Sequence, residues 1–230
     1  MSKYFVTAII VAAGGSTRMG LGISKQFIDL RGEPVIAHTL RAFEKAEIID
    51  SIVVVCREQD MENIRDIAQA KGISKLCALT VGGATRDESV RNGISACDAR
   101  TTHFAIHDGA RPLISVSDID KVVTAAFEKN AAALGTPVTD TIKVVGEGNV
   151  ILSTPARATL RAVQTPQVFE KSLYLRALGT AAENNESITD DCMLIESTGE
   201  KVYIVDGSET NIKLTTQNDI LLAEVLMKGE

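Results

Sequence analysis

Short β-rich runs separated by stretches of helical periodicity limit this chain's fold more than any other feature. Runs at Val6–Ala12, Ser51–Cys56, Lys75–Val81 and Thr102–His107 have strand length and strand composition. Helical patterns around Val35–Ala46, Met61–Lys71 and Glu88–Cys97 lie between them. Such alternation builds a mostly parallel sheet with helices on both faces. The expected fold is α/β, a Rossmann-like three-layer α/β/α arrangement with a mostly parallel twisted sheet. With 230 residues and 45% apolar composition, a single domain over 1–230 has enough material for a full core.

Two further helices are marked by their caps. In "SVSDIDKVVTAAFEKN", Ser117 and Asp120 are expected as N-cap and third-position acceptor, with Ile119, Val122, Val123, Ala126 and Phe127 on one face. In the final "TTQNDILLAEVLMKGE", Thr216 is the expected cap, and Ile220, Ala223 and Leu226 or Met227 face the core.

From Gly135 to Gln167 the texture changes to Thr, Val and Pro, with a Gly-x-Gly turn at Gly146–Gly148. This predicts a protruding β-hairpin arm within 136–165, Val138–Val145 out and Val150–Thr154 back. A hairpin that size has no core of its own, so a second subunit is its economical partner.

Charge and composition exclude several classes. A net charge of −6 gives no global basic field for nucleic acid or an anionic membrane, so a polyanionic ligand must meet local cations. No apolar segment approaches the roughly 18 residues of a membrane helix, and the opening "MSKYFVTAIIVAAGG" lacks signal-peptide features, so a cytoplasmic protein is expected. Cys56, Cys77, Cys97 and Cys192 are far apart and read as buried thiols, not metal ligands or disulfides. His38 and His103 read as structural; His107 stands in a more suspicious setting.

The stretch "AIIVAAGGSTRMG" is an apolar strand emptying into a glycine turn, a form that lets backbone N–H groups approach an anion. It fits neither common phosphate loop. Ser16 occupies the second glycine position of G-x-G-x-x-G, and Leu21-Gly22 stand where a P-loop needs Lys-Ser/Thr. Its positive charge comes from Arg18 and from Lys25. Ligands of open α/β sheets bind at the carboxyl ends of the strands. Four polar clusters belong there: Gly14, Arg18 and Lys25; "GGATRDES", a glycine turn before a helix capped near Asp87 to Ser89; "HDGARPL", with Asp108 and Arg111; and "NIKLTT", with Lys213. Each has a plainer reading, such as a helix entry at Gly82-Gly83 or an Asp108–Arg111 ion pair. Their convergence on one edge suits a ligand with several phosphates.

"AAGGSTRMG…SKQF", "HDGARPL", "DTIK", "QTPQVF", "TDDC" and "NIKLTT", in this order, resemble the 2-C-methyl-D-erythritol 4-phosphate cytidylyltransferases from about Val6 to Glu224. The resemblance implies transfer of CMP from CTP to a sugar-alcohol phosphate with release of pyrophosphate, aided by Mg²⁺ held mainly through the CTP phosphates. It implies Arg18 and Lys25 on the triphosphate and Lys213 at the α-phosphate as catalytic cations. Ala12, Ala13, Gly14, Gly83 and Ser89 match cytidine-binding positions. Asp108 matches a residue near the ribose and the acceptor, and Arg111 a position near the same site. Thr141, Arg157 and Thr165 match acceptor contacts, with Thr141 and Arg157 supplied by a homodimer partner's arm. Thr189 matches a substrate position, though "TDDC" equally suits a helix cap starting at Thr189.

Two positions depart from the family pattern: Ser16 replaces a glycine, and Ser24 replaces a proline before "KQF". Without that proline the segment holding Lys25 is expected to be less rigid, and affinity is expected to change before chemistry. Three other readings compete. D-ribitol-5-phosphate cytidylyltransferase shares "QTPQ" but tends to carry Ser-Val at Gly109-Ala110 and Leu at Asn211. A nicotinamide dehydrogenase is disfavoured because Glu33, the acid at roughly the right distance, is followed by Pro34. A non-catalytic nucleotide-binding protein is the third.

Overall fold

A computed structural model describes residues 4–14, 24–184 and 190–229. In chain order its elements are β1 (Val6–Val11), β2 (Asp29–Leu30), β3 (Glu33–Pro34), α1 (Val35–Lys45), β4 (Ser51–Cys56), α2 (Met61–Ala70), β5 (Leu76–Val81), α3 (Arg86–Ser95), β6 (His103–Asp108) and α4 (Val116–Lys129). Then follow β7 (Ala131–Pro137), β8 (Val144–Val145), β9 (Ile151–Ser153), β10 (Arg161–Glu170), α5 (Lys171–Asn184), α6 (Asp191–Glu196), β11 (Tyr203–Asp206) and α7 (Gln217–Leu226).

Seven strands form one sheet in the order β11-β7-β10-β6-β1-β4-β5. All run parallel except β10, which is antiparallel to both β6 and β7. The chain moves from β1 outward to β4 and β5, then returns to place β6 on the other side of β1. That reversal opens a crevice past the carboxyl ends of β1 and β6.

Side chains alternate across the sheet and bury both faces. Ala8 and Ile10 pack with Leu40 and Phe43 of α1, Ile64 of α2 and Val122 of α4. Ile9 and Val55 pack on the other face with Val90 of α3, Tyr174 of α5 and Ile195 of α6. Gly93 lets α3 lie close on that face, since a Cβ there would fall 2.6 Å from Ile9 Cγ2. α7 completes a smaller cluster, with Ala223 against Leu30, Val35 and Leu214.

The three-layer α/β expectation holds, and several local expectations are corrected. α4 is capped by Ser115, whose side chain accepts from Asp118 N at 3.0 Å; Ser117 already lies within the first turn. α3 is capped by Thr85, accepting from Glu88 N, and not within Asp87 to Ser89. α6 is capped by Asp190. Thr216 and Asp219 form a capping box on α7, as expected. The arm leaves the sheet after Pro137 and re-enters at Arg161, but its ladder is only β8 with β9, so Val138–Lys143 adds no strand. Val145, Ile151 and Leu152 are 53%, 58% and 66% exposed, so none of the described residues of the single chain covers the arm's apolar side chains. Cys77 is exposed and Cys97 half-buried; only Cys56 and Cys192 are the buried thiols expected.

Candidate active site

At the β1/β6 reversal lies a cleft of about 340 Å³. Its wall brings together Ala12, Ala13, Gly14, Lys25, Gly83, Ser89, Asp108 and Lys213, residues drawn from all four polar clusters of the sequence. A wider hollow of about 810 Å³ beside α4 is lined by residues such as Ser117, Asp120, Lys121 and Val205, with no glycine among the described residues that line it.

Backbone forms one side of the cleft. Ala12 N donates to Val55 O at 2.7 Å, which fixes the exit of β1. A Cβ on Gly82 would fall 2.3 Å from Ala13 Cβ, so glycine is what lets the two glycine turns meet. Ser89 Oγ accepts from Gly83 N at 3.0 Å and donates to Thr85 O at 2.9 Å, and so holds the second turn open.

Charge forms the other side. Lys213 Nζ lies 2.7 Å from Asp108 Oδ2, while Arg111 Nε is 3.9 Å from the same oxygen. Burial pushes the Asp108 carboxyl up, but the charge and hydrogen bond of Lys213 and the charge of Arg86 bring it below its ordinary value. Asp108 is therefore an ionised carboxylate among cations.

Behind Asp108 stands a closed ring of hydrogen bonds. Asp108 N donates to Thr165 Oγ1 at 3.1 Å, and because Arg111 O can only accept from His107 Nε2, the neutral imidazole's Nδ1 is left to accept the Thr165 hydroxyl proton, also at 3.1 Å. The His107 proton then sits on Nε2 and points to Arg111 O at 3.2 Å. Arg111 Nη1 donates to Asn211 O at 2.6 Å, and Asn211 Nδ2 donates to Thr165 O at 2.9 Å. Burial pulls His107 down to about 4, so its imidazole is neutral near pH 7. Thr165 and Arg111 thus lie behind Asp108 and not on the cleft wall.

Other expected site residues are placed elsewhere. Thr141 and Arg157 are exposed on the arm, with Arg157 Nη1 on Thr139 O at 2.9 Å. Arg18, Ser16 and Thr189 lie outside the described residues.

Sequence reasoning overlooked Arg86. It lines the cleft at the first position of α3, beside the positive end of the helix, where a cation is disfavoured without a partner. That partner is Asp191, 5% exposed, at 2.6 Å; Tyr174 Oη donates to the same carboxylate at 2.6 Å. Burial works against the Arg86 charge, but Asp191 outweighs it and keeps the guanidinium protonated. The arginine at a helix start was a readable signal; Asp191 and Tyr174, far off in the chain, were not.

Fold and cleft together define a nucleotide-handling α/β enzyme, with glycine turns for close backbone approach and cations for phosphate. A family model described as IspD, 2-C-methyl-D-erythritol 4-phosphate cytidylyltransferase, matches residues 6–229. A 2-C-methyl-D-erythritol 4-phosphate cytidylyltransferase of Caldanaerobacter subterraneus is 43% identical over 97% of this chain and 99% of that protein. One from Clostridioides difficile is 41% identical over 97% of this chain and 94% of its own length. The solved 4-diphosphocytidyl-2C-methyl-D-erythritol synthase of Anaerococcus prevotii superposes with a TM-score of 0.87 at 31% identity, covering 98% of this chain and 99% of that one. The chain belongs to the IspD family of 2-C-methyl-D-erythritol 4-phosphate cytidylyltransferases, and is a cytidylyltransferase.

Proposed function

We propose that the family reaction runs here by in-line attack of the acceptor phosphate on the α-phosphorus of CTP, with fixed cations absorbing the charge that develops. The reaction transfers CMP from CTP to 2-C-methyl-D-erythritol 4-phosphate, giving 4-diphosphocytidyl-2-C-methyl-D-erythritol and pyrophosphate. An acceptor phosphate is anionic near neutral pH and needs no general base, so the task is to hold two anions together and stabilise the transition state.

One observation carries this reading: Lys25, Arg86 and Lys213 share a single cleft with two glycine turns in a chain whose net charge is −6. In the proposal Arg18 and Lys25 meet the triphosphate and its transition state, and Lys213 meets the α-phosphate. Ala12 to Gly14, Gly83 and Ser89 shape the cytidine side. Asp108 orients the ribose and acceptor, while Arg111 and Thr165 hold Asp108 from behind. Thr189 lies near the acceptor. The chain acts as one domain in the cytoplasm, and the 136–165 arm of a second copy brings Thr141 and Arg157 to the acceptor of the first.

Among the described residues no three His, Cys, Asp or Glu side chains gather as a metal site, and Asp108 is the one carboxylate on the cleft wall. That arrangement suits Mg²⁺ carried in on the CTP phosphates, where the ion supplies charge compensation for the triphosphate and the leaving pyrophosphate. The test is pyrophosphate release from CTP and Mg²⁺ with either methylerythritol phosphate or ribitol 5-phosphate. Release with the first acceptor is expected; release with the second alone overturns the reading.

A further inference from the structure

Lys25 and Gln26 both line the cleft, yet the side chains of Gln26 and of Ser24, on either side of Lys25, are spent on a buried carboxylate. Ser24 and Gln26 are 6% and 4% exposed, and both side chains reach Asp60, itself buried at the end of the turn that follows β4. Gln26 Nε2 donates to Asp60 Oδ2 at 2.9 Å, and Ser24 Oγ lies 3.5 Å from the same oxygen. Arg57 Nε donates to Oδ2 at 2.8 Å and Nη2 to Oδ1 at 3.1 Å, with Nη2 also against Ser24 Oγ. One buried carboxylate therefore gathers the segment that carries Lys25 and the segment that leaves β4.

The plainer use of Asp60 would be as a helix cap, because it directly precedes α2. Its side chain makes no capping bond, and its backbone is already in the right-handed helical region at φ −95° and ψ −11°. A carboxylate at a helix start ordinarily accepts from the helix N–H groups. Here it is committed to Ser24, Gln26 and Arg57 instead.

Ser24 gives this commitment a purpose. Its backbone sits at φ −66°, the value a proline ring would enforce, and ψ 134°. The loss of proline at this position raised the expectation of a looser segment around Lys25. The arrangement supplies another restraint, in which charge-assisted hydrogen bonds, roughly twice as strong as neutral ones, hold the turn that a ring would otherwise hold. That turn is the 3₁₀ segment Lys25–Phe27, closed by Phe27 N on Ser24 O at 2.9 Å.

We propose that Asp60, with Arg57, is a positioning residue for Lys25: a polar clamp that keeps the Lys25 ammonium in the cleft by pinning its two neighbours. This rests on the reading of Lys25 as a triphosphate-binding cation. With the Ser24 and Gln26 side chains anchored on Asp60, the backbone that carries Lys25 is held at the cleft before CTP binds.

The test is a double-mutant cycle on the full chain, with Lys25→Ala, Asp60→Asn and their combination, scored by kcat, KM for CTP and the thermal midpoint. Asp60→Asn is expected to lower kcat/KM for CTP by about 10-fold, mostly through KM. In the Lys25→Ala background the same change is expected to add less than about 2-fold, because its route is already gone. Ser24→Pro added to Asp60→Asn is expected to recover most of the loss. A wild-type kcat/KM in Asp60→Asn, a loss of equal size with and without Lys25, or a loss that Ser24→Pro leaves untouched overturns the clamp. If Lys25→Ala alone keeps full turnover, the reading of Lys25 fails, a separate result. Should Asp60→Asn prove too unstable to assay, Arg57→Ala, on the half-exposed side of the cluster, takes its place in the same cycle and is judged by the same outcomes.

Discussion

Lys213 Nζ stands 2.7 Å from Asp108 Oδ2, so that one ion pair ties the end of β6 to the loop before α7. Leu214 N on Ala110 O at 2.9 Å fastens the same two loops one residue on. The lysine is thus held in place by its fold neighbours, with its own side chain 43% exposed to the cleft. Lys213→Ala is expected to lower kcat by roughly 10²–10³-fold, the scale of removing one charge-stabilising group. CTP affinity, measured by calorimetry, should fall much less. Equal losses in turnover and binding would mean that Lys213 holds the ground state as firmly as the transition state.

Arg86 depends on a carboxylate that in turn depends on a phenol. Tyr174→Phe removes one hydrogen bond to buried Asp191 and is expected to cost about 1–2 kcal/mol in urea unfolding. Asp191→Asn leaves Arg86 without its ionic partner, and KM for CTP should rise more than in Tyr174→Phe. A Tyr174→Phe protein as stable as the parent would show that the phenol is not needed to hold Asp191.

Acid should weaken the fold through His107. The ring takes up a proton near 6.5 in the unfolded chain but only near about 4 when folded, because burial disfavours its charged form. The unfolded state therefore binds more protons in that interval. The stability His107 contributes is complete above 6.5 and is lost as pH falls from there toward 4, by up to about 1.4 kcal/mol per pH unit. His103 is shifted the same way by burial, so comparison with a variant isolates the group. Urea unfolding at about pH 7, 6 and 5 should give a flatter profile for His107→Gln than for the parent. Parallel profiles would refute the assignment.

The proposed dimer, with the arm completing the partner's site, allows a complementation experiment. Lys213→Ala spoils a cleft and leaves its arm intact; Arg157→Ala does the reverse. Mixed and re-equilibrated, two inactive proteins should regain about a quarter of parental activity, since half the dimers would be mixed and each would hold one whole site. No recovery from demonstrably mixed dimers would place Arg157 outside the partner's site.

Part of the sheet was legible: β1, β4, β5 and β6 are short apolar runs with little else to become, whereas β7, β10 and β11 were not expected. Val6–Val11 and Ser51–Cys56 emerge within a residue of the expected ends. For β10 the expected arm stopped at Thr154, and the pairing of β10 with β6 and β7 is set by partners far away in the chain. Helix starts slipped by two residues at Ser115 because several Ser and Asp side chains compete to cap, and only the backbone at Ser115 is extended. In the cleft, Lys25 and Asp108 could be singled out because each follows a strand or glycine turn, and Lys213 because its "NIKLTT" motif matches the family pattern. Asp60 and Asp191 could not, since each acts by way of another residue that only folding brings near.

The arm enters and leaves between two strands that are already neighbours, with Pro137 opposite Arg161 in the antiparallel ladder. Cut there, the chain ends would face each other about 5 Å apart, a gap that a two-residue turn spans. The arm is thus a cassette spliced into a finished sheet. It can lengthen, shorten or change partner through evolution without asking any core residue to move.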